Sequence, residues 1–293
     1  MPTYNGQQYI RQALDSLLAQ MFKDFELIIS DNASTDSTQA ICLDYASRDE
    51  RIRYFRNETN VGAVKNFERV LKLSSGEYFM WAADDDIWSP QHISLCVQAL
   101  TGNLSAVLCA TSTIMIDQDG HALHKYEDED LHTVGLDKLA RLEKTITRMG
   151  RNCPFYGLMK REIAIQIPLR NVYGYDHLFT AELATYGEFI ILPQTCFYSR
   201  IGGDGSSTLG IVKSQQINSL FVRCCPNLAF FFDFVRTAAG WRMLNQRERL
   251  DAIRLVTERF LSRLFLKRML LDVPLFARDI YREIGKKRSA GKS

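Results

Sequence analysis

The chain of 293 residues contains 46% hydrophobic and 24% charged residues, as expected for a soluble globular protein, and can form one large α/β domain with an appendage. Its formal net charge of +2 argues against a dedicated nucleic-acid binder, which would carry a stronger basic excess. Its seven cysteines form no C-x-x-C pair, which argues against a structural zinc site or a redox dithiol and favours free buried thiols.

The N-terminal sequence MPTYNGQQYI lacks the basic and apolar regions of a signal peptide. No uninterrupted apolar run approaches the about 18 residues that a membrane-spanning helix needs. We therefore expect a cytoplasmic protein, with peripheral contact to the inner face of the cell membrane as one further option.

The first two-fifths of the chain alternates between helix and strand patterns. Apolar residues recur every three or four positions over 7–21, which predicts a helix with Asn5 as its N-cap. The continuous apolar run at 25–31 is typical of a strand buried on both faces. A βα alternation should begin with a strand, so either the leading strand lies outside this sequence or the sheet is built without it. Further strands are predicted at 51–57 and 76–83, and further helices at 37–48 and 61–73.

This alternation predicts a doubly wound, mainly parallel sheet. Its right-handed crossovers place the loops after the strands at one edge, where such folds bind ligands. These loops are 31–36, 57–62 and 83–90; all are polar, and the first and third carry carboxylates.

The remainder of the chain has fewer strand signals. The patterns predict a strand and turn at 105–119, a charged loop and amphipathic helix at 120–150, and a helix at 175–187 that stops at a glycine. A strand pair is predicted over 189–200. Beyond 210 the pattern is helical.

Three consecutive acids, Asp84–Asp86, follow the predicted strand at 76–83. Adjacent like charges repel, so something must offset their repulsion. Capping of the helix that begins near Pro90 is one explanation, but a single acid would suffice for it. The other explanation is a divalent cation, and ligands that offer only oxygen suit Mg²⁺ or Mn²⁺ rather than Zn²⁺.

The segments PTYNGQQYIRQALDSLLAQMFKDFELIISDNASTDST and RNETNVGAVKNFERVLKLSSGEYFMWAADDDIW, together with the helix that contains Asp176, resemble the family 2 inverting glycosyltransferases of the GT-A fold. The resemblance covers about residues 2–205. It implies an α/β catalytic domain, and the chain then divides as follows: a catalytic domain at 1–209, with a nucleotide-sugar half at 1–118 and an acceptor half at 119–209, a helical region at 210–285 and a disordered tail at 286–293.

The resemblance also implies a donor site and a metal site. In the family, the Pro-x-Tyr-Asn loop and the Asp after the second strand hold the base and ribose, and an Asp-x-Asp element binds the metal through its last acid. Asp85 is then the ligand of Mn²⁺ or Mg²⁺, while Ala83 departs from the pattern at the first acid. The expected donor-binding residues are Pro2, Thr3, Tyr4, Asp31, Lys65, Asp84 and Arg200.

The same resemblance makes Asp176, in YDHLFTAEL, the catalytic base. On the residues alone, an ordinary helix N-cap is the favoured interpretation of this aspartate. Tyr175 and Glu182 stand where the family has Glu and Arg, and Gly202 stands where many members have a His. The five histidines, His177 among them, show no ligand spacing and are interpreted as surface or helix-face residues.

Acceptor recognition is less sharply patterned. Phe155 and Tyr156 are expected to stack on a sugar face, with packing in the core as the alternative. Asp86 and Trp88 are further acceptor candidates. The basic, amphipathic segment 254–273 is expected to pack as a helix pair on the catalytic domain or on a partner subunit, or to lie on anionic lipid.

The function predicted from these features is metal-dependent, inverting sugar transfer from a nucleotide-diphosphate donor, most readily a UDP- or dTDP-sugar. The receiving group would be a hydroxyl of a glycan, a lipid-linked or a polysaccharide acceptor. A nucleotidyltransferase is the rival enzyme, but the N-terminal loop lacks a basic phosphate-binding pattern. A catalytically inactive, sugar-nucleotide-binding scaffold is the alternative from another class, and Ala83, Tyr175 and Gly202 are the residues that favour it.

Overall fold

The computed structural model describes residues 1–126, 129–148, 150–201 and 226–261, and it confirms the α/β class. Three strands in the N-terminal part form a parallel sheet in the order β1-β2-β3, with Pro2 opposite Ser30 and Leu27 opposite Ile52. The strands of this sheet are β1 (Pro2–Thr3), β2 (Leu27–Asp31) and β3 (Ile52–Arg56). β1, which precedes α1, is a strand that the sequence pattern did not reveal.

The helices of this part are α1 (Ile10–Leu18), α2 (Thr38–Arg48), α3 (Ala63–Leu73) and α4 (His92–Gly102). Every residue of β2 is buried, as its apolar run predicts. The apolar face of α1 is buried, and each of its leucine and isoleucine side chains contributes about 1.5–3 kcal/mol to stability. That face consists of Ile10, Ala13, Leu14 and Leu17.

The prediction of Asn5 as the N-cap of α1 is wrong. The N-cap is Tyr9, and the carbonyl oxygen of Gly6 accepts the backbone N–H groups of Tyr9 and Ile10 at 3.1 and 3.0 Å. Asn5 instead has a left-handed backbone with φ of 54°, and its Oδ1 accepts the Thr35 N–H at 2.8 Å. Its side chain thus ties the loop after β1 to the loop after β2.

A second sheet has the order β4-β8-β6-β9-β5, with β7 paired to β6. Only β6 and β9 pair in parallel, so this sheet is mixed rather than mainly parallel. Its strands are β4 (Tyr78–Phe79), β5 (Ile87–Trp88), β6 (Ala106–Ile116), β7 (Ala122–Tyr126), β8 (Leu158–Lys160) and β9 (Glu188–Arg200). The strand predicted at 76–83 is thus confined to β4, and the strand pair predicted at 189–200 is the single strand β9.

The remaining described helices are α5 (Lys138–Arg148), α6 (Arg161–Ala164), α7 (Tyr175–Leu183), α8 (Pro226–Ala238) and α9 (Gln246–Leu261), with 3₁₀ turns at Glu129–Leu131 and Cys153–Tyr156. One apolar cluster joins α5, α7, α8 and α9 through residues that include Leu142, Leu178, Phe234 and Val256. The described helices α8 and α9 therefore pack on α5 and α7, while most of the segment 254–273, for which packing on the catalytic domain is one expectation, lies outside the described residues. The predicted tail at 286–293 and the boundary at 209 lie outside the described residues.

Within the described residues, no helix combines the length and the apolar character needed to cross a membrane.

An aromatic cluster packs beneath the end of β4. Trp81 stacks on Phe155 with ring centroids 4.4 Å apart, and the ring of Phe179 meets Trp81 edge-on at 5.0 Å. Tyr175 extends the cluster through edge-on contacts, with ring centroids 5.8 Å from Phe67 and 5.9 Å from Phe155. These three elements, the segment after β4, the 3₁₀ turn and α7, are thereby held in a fixed arrangement.

Candidate active site

The connection between β4 and β5 ends in the three acids Asp84–Asp86, which we call the acid loop. Asp86 is only 4% exposed, and its Oδ1 accepts the backbone N–H of Arg200 at 2.8 Å. The Thr3 hydroxyl donates to Oδ2 of Asp84, which joins the loop to the end of β1. The acid loop is thus built between the two sheets.

The surroundings of the acid loop disfavour its negative charge. Burial, followed by the charge of Asp85, raises the pKa of Asp84 to about 7. The same two causes raise the pKa of Asp86 well above its ordinary value, and burial raises the pKa of Asp85. A divalent cation would favour the ionised forms, and three carboxylates offer oxygen ligands of the kind that Mg²⁺ and Mn²⁺ prefer. Carboxylate oxygens suit the predicted metal, and since the three acids do not all lie within 4.8 Å of one another, the metal would take fewer than three of them, with Asp85 as the predicted ligand.

Arg200 connects the acid loop to three other segments, and it is 5% exposed. Its guanidinium donates at 2.8–2.9 Å to Asp85 O, Asp117 O, Gln118 O and Gln12 Oε1. The guanidinium carbon also lies 4.2 Å from the centre of the Tyr9 ring. These contacts fix the acid loop against α1 and the β6–β7 turn. The donor-binding role predicted for Arg200 stays a prediction.

The residues predicted to hold the nucleotide lie at the ends of β1 and β2. The Asp31 side chain is fully buried: Oδ2 accepts from Tyr54 Oη at 2.7 Å and from Arg56 Nη1 at 2.5 Å, while Oδ1 accepts the Ser34 N–H at 2.8 Å. Tyr4 is 48% exposed. Pro2 and Thr3 are buried in β1, and Lys65 is exposed on α3. The structure thus places Thr3 against Asp84 and leaves Tyr4 accessible nearby.

Gly6 is required by a close approach of the acid loop. A Cβ at residue 6 would lie 2.4 Å from Asp84 Oδ2 and 2.9 Å from Thr3 Oγ1. We expect Gly6→Ala to displace the Asp84 carboxylate and to lower the free energy of unfolding by about 1–3 kcal/mol. Urea titration measures this change. Gly102→Ala is the control, because nothing lies within 4 Å of its added Cβ; equal effects in both variants would contradict this account.

Asp176 lies in the first turn of α7, but it does not cap that helix. The N-cap is Gly174, whose φ of 72° requires a left-handed backbone, and no side chain bonds to the cap. The capping alternative for Asp176 is therefore wrong. Asp176 instead accepts from Asn152 Nδ2 at its Oδ2 and faces His177 Nδ1 with its Oδ1, both at 3.2 Å. Burial alone raises the pKa of Asp176, but His177 and Asn152 outweigh burial and lower it.

Tyr156 packs against Phe155 and Phe197, with ring centroids 5.5 and 5.9 Å apart. It is half-buried at the end of the 3₁₀ turn, and burial first, then Tyr175, Asp86, Asp85 and Asp176, raise its pKa well above the ordinary value. Carboxylates of two separate segments therefore act on one phenol. The predicted metal ligand and the predicted base therefore both contribute to the raised pKa of this one side chain.

Two of the acceptor candidates lie in the core. Phe155 is 1% exposed, with one face covered by Trp81, and Trp88 is 2% exposed and stacked on Phe197. Neither ring offers a platform for a sugar, so the packing alternative given for Phe155 is the one observed. Asp86 is also buried, by Arg200 and β9, which leaves Tyr156 as the half-exposed member of the predicted acceptor set.

The departures from the family pattern have structural partners where they are described. Glu182 forms a buried ion pair with Arg170 at 3.0 Å, and Tyr175 packs in the aromatic cluster. Gly202 lies outside the described residues. Sequence reasoning missed two functional candidates, Asn152 and His177. No motif links Asn152 to Asp176, and the only signal for His177 is that it directly follows Asp176 in the sequence.

A separate group of ligand-type side chains occurs at the β6–β7 turn. Oxygen and nitrogen atoms of Asp117, Asp119 and His121 lie within 4.8 Å of one another there, unlike the three acids of the acid loop. Asp117 Oδ1 accepts the N–H groups of Asp119 and His121, each at 2.9 Å. Because Asp119 and His121 are exposed and these bonds close the turn, the cluster is accounted for by turn formation.

Known proteins resemble this chain in sequence. The family model described as glycosyl transferase family 2 matches residues 1–167. An uncharacterized glycosyltransferase of Rickettsia typhi is 35% identical over 125 residues, which cover 42% of this chain and 38% of that protein. An uncharacterized protein of Mycobacterium tuberculosis is 37% identical over 201 residues, which cover 66% of this chain and 55% of that protein. The chain thus spans less than two thirds of the length of these relatives.

Solved structures share the fold at low sequence identity. The Staphylococcus aureus TarS fragment 1–349 in complex with UDP-GlcNAc matches with a TM-score of 0.64 and 18% identity, over 94% of this chain and 76% of that one. The mannosyltransferase PcManGT from Pyrobaculum calidifontis, in complex with GDP-Man and Mn²⁺, matches with a TM-score of 0.59 and 14% identity. The match covers 97% of this chain and 73% of that one. At these identities the likeness establishes the fold alone.

Proposed function

This chain belongs to glycosyl transferase family 2, and from that membership we propose that it transfers a sugar from a nucleotide-diphosphate donor to a hydroxyl group, with inversion at the anomeric carbon. The observation that carries this proposal is the contact among the rings of Trp81, Phe155 and Phe179, which joins the segment that leads into the acid loop to the helix that carries Asp176. One group of carboxylates suits a metal that binds the donor diphosphate, and the other carboxylate suits a base for the acceptor. Inverting transfer needs both, on opposite sides of the reacting carbon.

Each part of the site has a separate task in this proposal. Asp85 would hold Mn²⁺ or Mg²⁺, which when bound neutralises charge on the departing nucleotide diphosphate. Asp176, ionised because His177 and Asn152 lower its pKa, removes the proton of the acceptor hydroxyl. Tyr156, the half-exposed member of the predicted acceptor set, would contact the acceptor. Arg200 keeps the acid loop in place through its four hydrogen bonds to protein oxygens.

The substrates are proposed at the level of chemical class. A UDP- or dTDP-sugar is the donor that the resemblance favours, and the solved relatives include complexes with UDP-GlcNAc and with GDP-Man. The acceptor is a glycan, a lipid-linked sugar or a polysaccharide, and the reaction takes place on the cytoplasmic side of the cell membrane. Nucleic acid is not proposed as a partner, because the net charge of +2 provides no basic excess.

A thermal-shift measurement with UDP, dTDP and GDP, each with and without Mn²⁺, tests the donor site. At 100 times its dissociation constant, the correct nucleotide is expected to stabilise the protein by about 2.7 kcal/mol, and the shift should depend on Mn²⁺. The control is the matching nucleoside monophosphate, which lacks the second phosphate that the metal would bridge. Equal shifts with and without Mn²⁺ would contradict the metal assignment, and no shift with any nucleotide would favour an inactive scaffold.

A further inference from the structure

Both carboxylate oxygens of Asp176 are held by side chains from different segments. Asn152, which precedes the 3₁₀ turn, donates from Nδ2 to Oδ2, and His177 places Nδ1 next to Oδ1, each at 3.2 Å. The carboxylate is therefore restrained from two sides. A carboxylate has about four lone-pair sites, so Oδ2 retains one that Asn152 does not use.

The contacts of His177 require a proton between it and Asp176. Its Nε2 lies 3.0 Å from the carbonyl oxygen of Gly150, which can only accept, so Nε2 carries a hydrogen. Its Nδ1 faces a carboxylate oxygen, which also only accepts when ionised. The second contact is thus a hydrogen bond only if a proton lies between Nδ1 and Oδ1. Because His177 lowers the pKa of Asp176, the pair holds this proton as imidazolium beside carboxylate.

The backbone conformation and the buried side chain of Asn152 are both energetically unfavourable. Its backbone is left-handed with φ of 58°, its side chain is 1% exposed, and its Oδ1 has no hydrogen-bond partner among the described residues. Asparagine tolerates the backbone conformation, but a buried, unpaired carbonyl is destabilising. Costs of this kind cluster at functional sites, and here two of them coincide at the residue that contacts Asp176.

We propose that Asn152 and His177 are positioning residues that orient Asp176 so that it accepts the acceptor proton at Oδ2. This inference rests on the proposed function, in which Asp176 is the base. Each oxygen retains one unused lone pair, but the charged donor His177 forms a stronger hydrogen bond than the Asn152 amide and makes Oδ1 the less basic oxygen. The incoming hydroxyl is therefore assigned to Oδ2. In the transfer step the acceptor oxygen bonds to the anomeric carbon, its proton moves to Oδ2, and the nucleotide diphosphate leaves with the electrons of the broken C–O bond.

Two substitutions at residue 177 separate the two contacts of the imidazole. His177→Asn keeps a donor at the position of Nδ1, and His177→Gln keeps one at the position of Nε2. We expect His177→Gln to lower kcat for sugar transfer at least about tenfold, with KM for the donor unchanged, and His177→Asn to stay within about threefold of the wild type. The assay uses UDP-, dTDP- and GDP-sugars with methyl glycosides or water as acceptors. Equal activity of both variants would overturn the proposal.

The exposed pair His121 and Asp117 provides the matched control. Its Nδ1 to Oδ2 distance is 3.3 Å, close to that of the proposed pair, but it lies on the β6–β7 turn. His121→Asn and His121→Gln are expected to leave transfer unchanged. Loss of activity in these variants would show that the assay responds to any altered His–Asp pair and would overturn the inference.

Asn152→Gly distinguishes positioning from a structural role. Glycine relieves the left-handed backbone and removes the unpaired carbonyl, so we expect an unchanged or higher Tm together with an at least about tenfold lower kcat. A fall in Tm with unchanged kcat would assign Asn152 to stability and overturn its part in the proposal.

A readout without substrate keeps the inference separable from the proposed function. Nitrogen-15 spectra of the five histidines give the pH at which the His177 ring loses a proton, and His177→Asn identifies its signal. This pH should be higher in the wild type than in Asp176→Asn, and equal values would overturn the pairing of imidazolium with carboxylate. A wild type that consumes no sugar nucleotide, yet shows this difference, would count against glycosyl transfer and leave the pairing of Asp176 with His177 established.

Discussion

Asp176→Asn is expected to lower the rate of sugar transfer by at least about 100-fold, because a positioned general base contributes about 10²–10⁴ to such a rate. Asparagine has nearly the same shape, but its amide cannot take the acceptor proton. Binding of the nucleotide should be unchanged, since the acid loop and the strand ends lie on other elements than α7. Initial rates with saturating donor, together with calorimetric titration of the nucleoside diphosphate, measure the two quantities separately.

Asp119→Asn is the control for this experiment, because Asp119 is an exposed acid on the β6–β7 turn. It should keep the wild-type rate. If Asp176→Asn were as active as the wild type, Asp176 would not be the base. If it lost nucleotide binding as well as activity, its effect would be one on folding or on the donor site rather than on proton transfer.

Asp85→Asn is expected to remove the dependence of nucleotide binding on Mn²⁺ and to lower transfer by at least about 100-fold, since a metal supplies several kcal/mol of charge stabilisation in such reactions. Calorimetric titration of the nucleoside diphosphate with Mn²⁺ and with EDTA measures the first effect. Asp86→Asn serves as the comparison. The Asp86 carboxylate accepts the backbone N–H of Arg200 and is not a predicted metal ligand. Retained Mn²⁺ dependence in Asp85→Asn would refute the assignment.

Asp85→Asn should also raise the free energy of unfolding of the metal-free protein at neutral pH. The pKa of Asp84 is raised from 3.8 to about 7, so between these pH values the unfolded chain loses this proton before the folded chain does. The free energy of unfolding therefore falls as the pH rises through this window. Asp85 is the second cause of the raised pKa, after burial, so Asp85→Asn should reduce the fall. Urea unfolding at pH 4.5 and 7.5 in EDTA measures it, and an unchanged fall would contradict the proximity of the two charges.

The parts of the fold that the sequence predicted are those with continuous patterns. The buried run of β2 and the apolar face of α1 identify these elements, because each is long enough to show its period. The two-residue strands β1, β4 and β5 have no period to detect. Their pairing depends on partners far along the chain, such as Tyr78 opposite Lys160.

The candidate site shows the same limit. The acids of the acid loop stand out because three carboxylates in a row need an explanation, and Asp176 was found through the family resemblance. The contact of Asn152 with Asp176 spans 24 residues and depends on a left-handed backbone before the 3₁₀ turn. Phe155 was assigned to sugar binding or to the core with equal reason, because an aromatic residue in a loop is suited to both. Only the stacking of Trp81 decides between them.

The aromatic cluster of Trp81, Phe155 and Phe179 determines the distance between the acid loop and Asp176. Trp81 lies three positions before Asp84, and Phe179 lies three positions after Asp176, and the two rings touch each other and Phe155. The reach from the acid loop to Asp176 is therefore set by the thickness of packed rings rather than by a flexible connection. A smaller or larger side chain at any of these three positions would change the distance between the acid loop and Asp176. Because donor and acceptor must fit between these two groups, the size of the rings would affect sugar transfer.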